Sequence, residues 1–248
     1  MYLRYITCSD PREHNSIESI IDLARLPHTE IAVQCHPSKM SNGMPRNVWF
    51  NDLLRESTSI CGINLAIHIN SEWADDICAK GCVPQIILDW LKVTKMGNSP
   101  AIKRVQLNMP QETADNINVA QLAKIFHCFP NQEFILQYNN KTKKAVKKMH
   151  HFGTDFSLLF DASGGNGIAP KLWEKPVYDI HPMGYSGGMS PDNVNDNLNK
   201  INKLVPEKSG IWIDAEGKLK SLIDGKDLFD VSLAKKYVMC ANRWQNQK

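Results

Sequence analysis

Eight short apolar, strand-like runs alternate with stretches that can be helical, and no other feature of this 248-residue chain limits its fold so sharply. The runs cover residues 3–7, 30–34, 63–69, 102–107, 133–137, 156–160, 180–185 and 210–213. Candidate helices follow near 16–26, 47–56, 83–95, 114–128, 141–151, 169–173, 191–204 and 227–240, the sixth being short enough to be only a turn. Strands in strict alternation with helical periods form βαβ units, and such units build a parallel sheet. An open, doubly wound sheet would carry a glycine-rich phosphate turn after its first strand. Here that place reads Thr7-Cys8-Ser9-Asp10-Pro11, without a glycine. The sequence therefore reads as an α/β chain closed into a (β/α)8 TIM barrel, a fold that typically needs about 250 residues. No linker, repeat or composition break divides it, so residues 1–248 are expected to form one domain.

Charge and cysteine usage narrow the functional classes. A formal net charge of +3 is too mild to imply a nucleic-acid partner. Lysines cluster at Lys141, Lys143, Lys144, Lys147 and Lys148, which reads as a solvated, self-repelling helix face. No apolar run approaches the ~18 residues that a membrane-spanning helix needs, and Met1-Tyr2-Leu3-Arg4-Tyr5-Ile6 reads as a first strand rather than a leader. Seven scattered cysteines suit reduced thiols in a cytoplasm. Cys78 and Cys82 stand four apart, but no second pair accompanies them as a zinc site would require.

In a barrel, catalytic groups sit at the C-terminal strand ends and in the loops that follow. That rule selects Cys8, His36, His68, Asn108, Asn139, Asp161, Ser186 and Asp214. Asp161 ends the apolar run Phe156-Ser157-Leu158-Leu159-Phe160 and precedes Ala162-Ser163-Gly164-Gly165-Asn166-Gly167. A carboxyl at such an edge is partly desolvated, which raises its pKa toward that of a useful general acid. The alternative is an aspartate that caps its own loop. Cys8 is a base or nucleophile if its thiolate is stabilised, or simply a small buried hydrophobe. Ser186-Gly187-Gly188-Met189-Ser190-Pro191-Asp192-Asn193 joins the seventh strand to a helix start, where backbone N–H groups make a natural anion site. His36 and His68, with Asp161 or Asp214, offer a divalent-metal set if they converge.

These rim residues resemble those of the phosphoribosylanthranilate isomerase family. Tyr5-Ile6-Thr7-Cys8-Ser9 falls where that family's first strand ends in a cysteine. Leu159-Phe160-Asp161 with Gly164-Gly165-Asn166-Gly167 is similar to its Leu-Leu-Asp and Gly-Gly-x-Gly sixth turn. Gly187-Gly188-Met189-Ser190-Pro191-Asp192-Asn193-Val194 is similar to its seventh, and the likeness is densest between Asp155 and Val194. The resemblance implies an Amadori rearrangement of a phosphorylated amino-sugar, an aldose–ketose isomerisation of tryptophan biosynthesis that needs no cofactor and no metal. It implies Asp161 as general acid, Cys8 as general base, and a phosphate held by Gly164, Gly165, Gly187, Gly188, Met189 and the loop at Asp214. The implied partner is a phosphorylated small molecule, met by a monomer or homodimer.

Three places depart from the family. The eighth-strand loop reads Ile213-Asp214-Ala215-Glu216-Gly217, which sets two carboxylates where a phosphate is expected. Two like charges ~4 Å apart repel by roughly 4 kcal/mol at an effective dielectric of about 20. Cys35-His36-Pro37-Ser38-Lys39 replaces a Ser-Pro-Arg loop, and Asn108-Met109 replaces His-Gly. A metal-dependent sugar-phosphate epimerase or lyase, and a barrel that has lost catalysis and only binds, are the alternatives these departures leave open.

Overall fold

The computed structural model describes residues 1–60, 62–162 and 167–247. Its centre is a closed barrel of β1 (Tyr2–Ser9), β2 (Thr29–Cys35), β3 (Asn64–Ile69), β4 (Ile102–Leu107), β5 (Glu133–Tyr138), β6 (Ser157–Asp161), β7 (Met183–Ser186) and β8 (Gly210–Ala215), hydrogen-bonded in sequence order. Every neighbouring pair is parallel, and β1 closes on β8 through pairs such as Ile6↔Ile213 and Thr7↔Asp214. All eight expected strands are present, and the fold is the expected TIM barrel. The strands read as apolar runs because their outward residues, such as Ile31, Val33, Leu65 and Ile67, are buried beneath the helices.

The helices are α1 (Ile17–Ala24), α2 (Pro37–Met40), α3 (Pro45–Ser59), α4 (Ser71–Asp75), α5 (Gln85–Leu91), α6 (Gln111–Asp115), α7 (Val119–Cys128), α8 (Lys143–Phe152), α9 (Val194–Asn202) and α10 (Val231–Asn246). Local chemistry starts several of them. Ser16 Oγ accepts the Ser19 N–H at 3.2 Å at α1, and Asn118 Oδ1 accepts the Gln121 N–H at 3.2 Å at α7. Before α9, Asn193 Oδ1 takes the Ser190 N–H at 2.8 Å, and the helix begins at Val194. Among the described residues no helix is long and apolar enough to cross a membrane.

Two expectations fail at element level. No helix forms at 169–173, nor anywhere among the described residues between β6 and β7. Pro170, Pro176 and Pro182 interrupt any helical run there. The vacant place in the outer layer is filled by Trp173, which meets Phe160 at 6.0 Å and Tyr185 at 5.8 Å in edge-on contacts. Such pairs contribute about 0.5–1.5 kcal/mol each beyond burial. The second failure is at 227–230. An antiparallel hairpin of β9 (Lys220–Ile223) and β10 (Lys226–Phe229) stands between β8 and α10. Its turn is Asp224-Gly225, with φ of 50° and 73°, the dipeptide that a tight hairpin requires. The helix then starts at Val231, its first N–H groups taken by Asp230 Oδ1 at 2.8 and 3.2 Å.

The barrel interior is polar at both ends and apolar between. Near its base Arg104 binds Glu30 at 2.7 Å, and its guanidinium lies 4.2 Å from the Trp212 ring and 4.6 Å from the Tyr5 ring. Ile135, Leu159, Trp212 and Tyr5 pack together inside the barrel. The Trp212 indole fits because Gly184 faces it: a Cβ there would lie 2.0 Å from the ring.

Candidate functional site

Side chains on a strand alternate in direction, so the last inward position of each barrel strand points into the mouth. Here those positions are Ser9, Gln34, His68, Gln106, Gln137, Asp161, Ser186 and Asp214, one polar residue from each strand. All but Ser9 line a cavity of about 320 Å³, and Ser9 joins by donating its hydroxyl hydrogen to Asp214 Oδ1 at 2.6 Å.

Amides hold this ring rigid. Gln106 Nε2 donates to Asn108 Oδ1 at 2.8 Å, Asn108 Nδ2 to Asn70 Oδ1 at 2.9 Å, and Asn70 Nδ2 to Gln34 Oε1 at 2.8 Å. Gln34 Nε2 then serves both Glu216 Oε2 at 2.9 Å and His68 Nδ1 at 3.2 Å. A ring nitrogen that accepts from Gln34 carries no proton, so His68 bears its hydrogen on Nε2. Burial, with the Arg104 charge below, pushes the imidazole down to about 3, and His68 is a neutral N–H donor.

Asp214 is the most perturbed carboxyl of the mouth. Burial drives its pKa up to about 7; the Ser9 hydrogen bond opposes this, and the charges of Glu216, Glu30 and Asp161 add to it. Asp161, only 4% exposed, takes a long hydrogen bond from Gln137 Nε2 at 3.5 Å. The ladder pairs Asp161 with Ser186 and Ser186 with Asp214, so the two carboxyls stand on either side of β7. At ~4.8 Å per strand, their backbones are roughly 10 Å apart.

Cys8 is not brought to this mouth. Its neighbours Thr7 and Ser9 point inward, to Glu30 and Asp214, so Cys8 points outward into the layer beneath the helices. It is fully buried, and burial, with the charges of Asp214 and Glu30, pushes its thiol pKa far up. A thiol there has neither access nor thiolate character, which removes it as the general base. The rim position that the cysteine was expected to fill belongs to Ser9.

Gly187, Gly188 and Met189 do line the cavity, as does Asp214. Both glycines need their type: φ is 126° and 60°, and a Cβ would meet the Ile168 carbonyl oxygen at 2.9 Å and the Ala169 nitrogen at 2.8 Å. Met189 buries its side chain against α10, where the Tyr237 hydroxyl donates to its sulfur at 3.9 Å. Gly164 and Gly165 lie outside the described residues. Glu216 is no bare charge, since Lys220 Nζ meets its Oε1 at 2.9 Å. That pairing answers half of the repulsion expected of the eighth loop, and the raised pKa of Asp214 answers much of the rest.

The two histidines do not converge. His68 lies in the central cavity, whereas His36 lines a second hollow and contacts Ser71 Oγ at 3.3 Å. Among the described residues no group of three or more His, Cys, Asp or Glu is arranged to hold a metal ion. The second hollow, about 440 Å³, opens over β1 to β4 and shares Gln34, Asn108 and Glu216 with the first. Asp10 anchors its wall, held by Arg12 and by Lys220 Nζ at 2.8 Å, with Arg46 Nη1 at 3.8 Å. Single positions in sequence gave no sign of this cluster, because its members come from separate strand ends and loops.

Two solved structures overlay the chain. One is 3-hexulose-6-phosphate synthase from Salmonella typhimurium, 11% identical, covering 98% of this chain and 100% of that one at a TM-score of 0.49. The other is the YdjI aldolase from Escherichia coli K12, 12% identical, covering 99% and 90% at a TM-score of 0.49. No protein-family model and no curated protein sequence matches the chain.

Proposed function

We propose that this barrel is an acid–base isomerase of a small phosphorylated sugar, interconverting aldose and ketose at the mouth. The observation that carries this reading is Asp214, a buried carboxyl with a pKa near 7 in a polar cavity that also holds Asp161 and a neutral His68 N–H. A base of that strength suits proton transfer at neutral pH. Asp214 takes the proton from sugar C2, the C2–H electron pair forms the C1=C2 bond of an enediolate, the hydroxyl proton at O2 passes to O1, and the same carboxyl returns its proton to C1 as the C2 carbonyl forms. His68 Nε2–H donates to the carbonyl oxygen on which charge develops. Asp161 exchanges the ring-oxygen proton that opens and closes the sugar. The amides of Gln34, Gln106, Asn108 and Gln137 supply both donors and acceptors, as a polyhydroxylated ligand requires. Asp214 thus takes the part that the family resemblance assigns to Cys8, and the Amadori substrate of that family is one member of the proposed class.

The test is solvent exchange. The protein is incubated in D2O with a panel of pentose and hexose aldose phosphates and with N-phosphoribosyl anthranilate, and proton NMR follows deuterium at C2 and ketose formation. Asp214→Asn and Asp161→Asn are each expected to slow exchange by about 10²–10⁴-fold, the usual contribution of a positioned acid or base. Exchange at the wild-type rate in Asp214→Asn, or none with any substrate of the panel, rejects the reading.

A further inference from the structure

We infer that the anionic group of the ligand docks in the second hollow, on Arg46 and Lys39 over β1 and β2, and not on the glycine turn after β7. The inference rests on the reading of the mouth as a sugar-phosphate site and fixes which way the substrate lies in it.

Arg46 lines this hollow. It is only 7% exposed, yet its sole hydrogen bond among the described residues runs from Nε to Glu13 Oε2 at 3.1 Å. Nη1 approaches Asp10 no closer than 3.8 Å, so neither terminal nitrogen donates a hydrogen bond to the protein. A buried guanidinium whose two terminal nitrogens make no hydrogen bond to the protein, facing a hollow, is a fork without its acceptor. Bidentate oxyanions fit that fork. Lys39 lines the same hollow and has no hydrogen-bond or ion-pair partner among the described residues.

The carboxylates nearby do not cancel this. Arg12 and Lys220 take Asp10 Oδ2, and Lys220 and Gln34 take Glu216, while Asp10 Oδ1, buried and without a hydrogen bond, stays 3.8 Å from Arg46 Nη1, so Arg46 and Lys39 keep donors in reserve. Backbone adds to the field. Arg46 is the second residue of α3, a helix of 15 residues whose N-cap Met44 offers no side-chain acceptor and whose first turn carries no acid. The positive end of that helix dipole therefore lies beside the guanidinium.

The glycine turn is the poorer host. A Cβ on Gly187 or Gly188 would meet the backbone of Ile168 or Ala169, so that side of the turn is already occupied. Asp214 and Asp161 line the cavity on the same side. The two hollows share Gln34, Asn108 and Glu216, so a ligand can reach from Asp214 to Arg46 without leaving the mouth.

Binding of inorganic phosphate and of ribose 5-phosphate is measured by calorimetry on the full chain. The variants are Arg46→Gln, Lys39→Glu, and Lys218→Gln in the cavity that the glycine turn also lines. Arg46→Gln and Lys39→Glu are each expected to weaken phosphate at least tenfold, while Lys218→Gln changes it less than twofold. Lys39 is exposed, so its variant keeps the test valid if Arg46→Gln fails to fold. Loss confined to Lys218→Gln, or no saturable phosphate binding to the wild type, overturns the inference. Phosphate that follows Arg46 and Lys39 while no aldose phosphate exchanges deuterium upholds it and rejects the isomerase instead.

Discussion

At the scale of single residues, Asp214 makes the sharpest demand on experiment. Its folded pKa of about 7 lies above the ordinary carboxylate value of 3.8, so the folded chain holds this proton more tightly than the unfolded chain. The stability tied to that proton is fully present below pH 4 and is lost as pH rises through 7. Asp214→Asn should therefore raise the thermal midpoint at pH 8 more than at pH 5. Turnover runs the opposite way: a base must be ionised, so wild-type activity should climb with pH through about 7 and any residual activity of the variant should not. A pH–rate profile of the same shape in both proteins would remove Asp214 as the base. Cys8 marks the limit of reading single residues. Period-two geometry turns every second side chain outward, and one step along β1 separates a mouth residue, Ser9, from a core residue, Cys8.

At the scale of elements, β7 is the tightest fit. Gly184 leaves the space that the Trp212 indole occupies. Gly184→Ala forces that ring out of place at a cost of roughly 1–3 kcal/mol, the usual range for overpacking. The loss should appear as a lower urea midpoint with a changed tryptophan emission. An unchanged midpoint would mean that the indole is not held where the glycine puts it. Parallel strands were legible because both their faces are buried, which leaves continuous runs such as Ile31, Ala32 and Val33. The hairpin had its signal too, in Asp224-Gly225, but the helical spacing beyond it masked a turn of two residues. The stretch between β6 and β7 carried three prolines against a weak helical period, and the prolines prevail.

At the scale of the whole molecule, the barrel was readable and its interior was not. Alternation implies eight units and a parallel sheet, and the missing glycine turn after the first strand selects closure. That Gln34, His68, Gln106 and Asp161 share one ring follows only from the shear of the closed barrel, which brings together residues dozens of positions apart. The same closure buries Arg104 against Glu30 between two aromatic rings. Arg104→Met keeps the bulk but strands the Glu30 carboxylate, and global stability should fall by about 3–5 kcal/mol. Adding Glu30→Gln should recover most of that loss in chemical denaturation. A single variant as stable as the wild type would show that the ion pair contributes nothing to the barrel.

The seam between β1 and β8, which joins Tyr2 to Gly210, also sets a timetable for synthesis. At ~5–20 residues per second, a ribosome releases β8 roughly 10–40 seconds after β1. For that interval one edge of β1 has no neighbour and the ring stays a gutter, open along its whole length. Such an edge invites pairing with any passing strand. The nascent chain is therefore most exposed to misassembly and to chaperone capture just before β8 emerges, and the mouth that holds Asp214 forms only once that strand is in place.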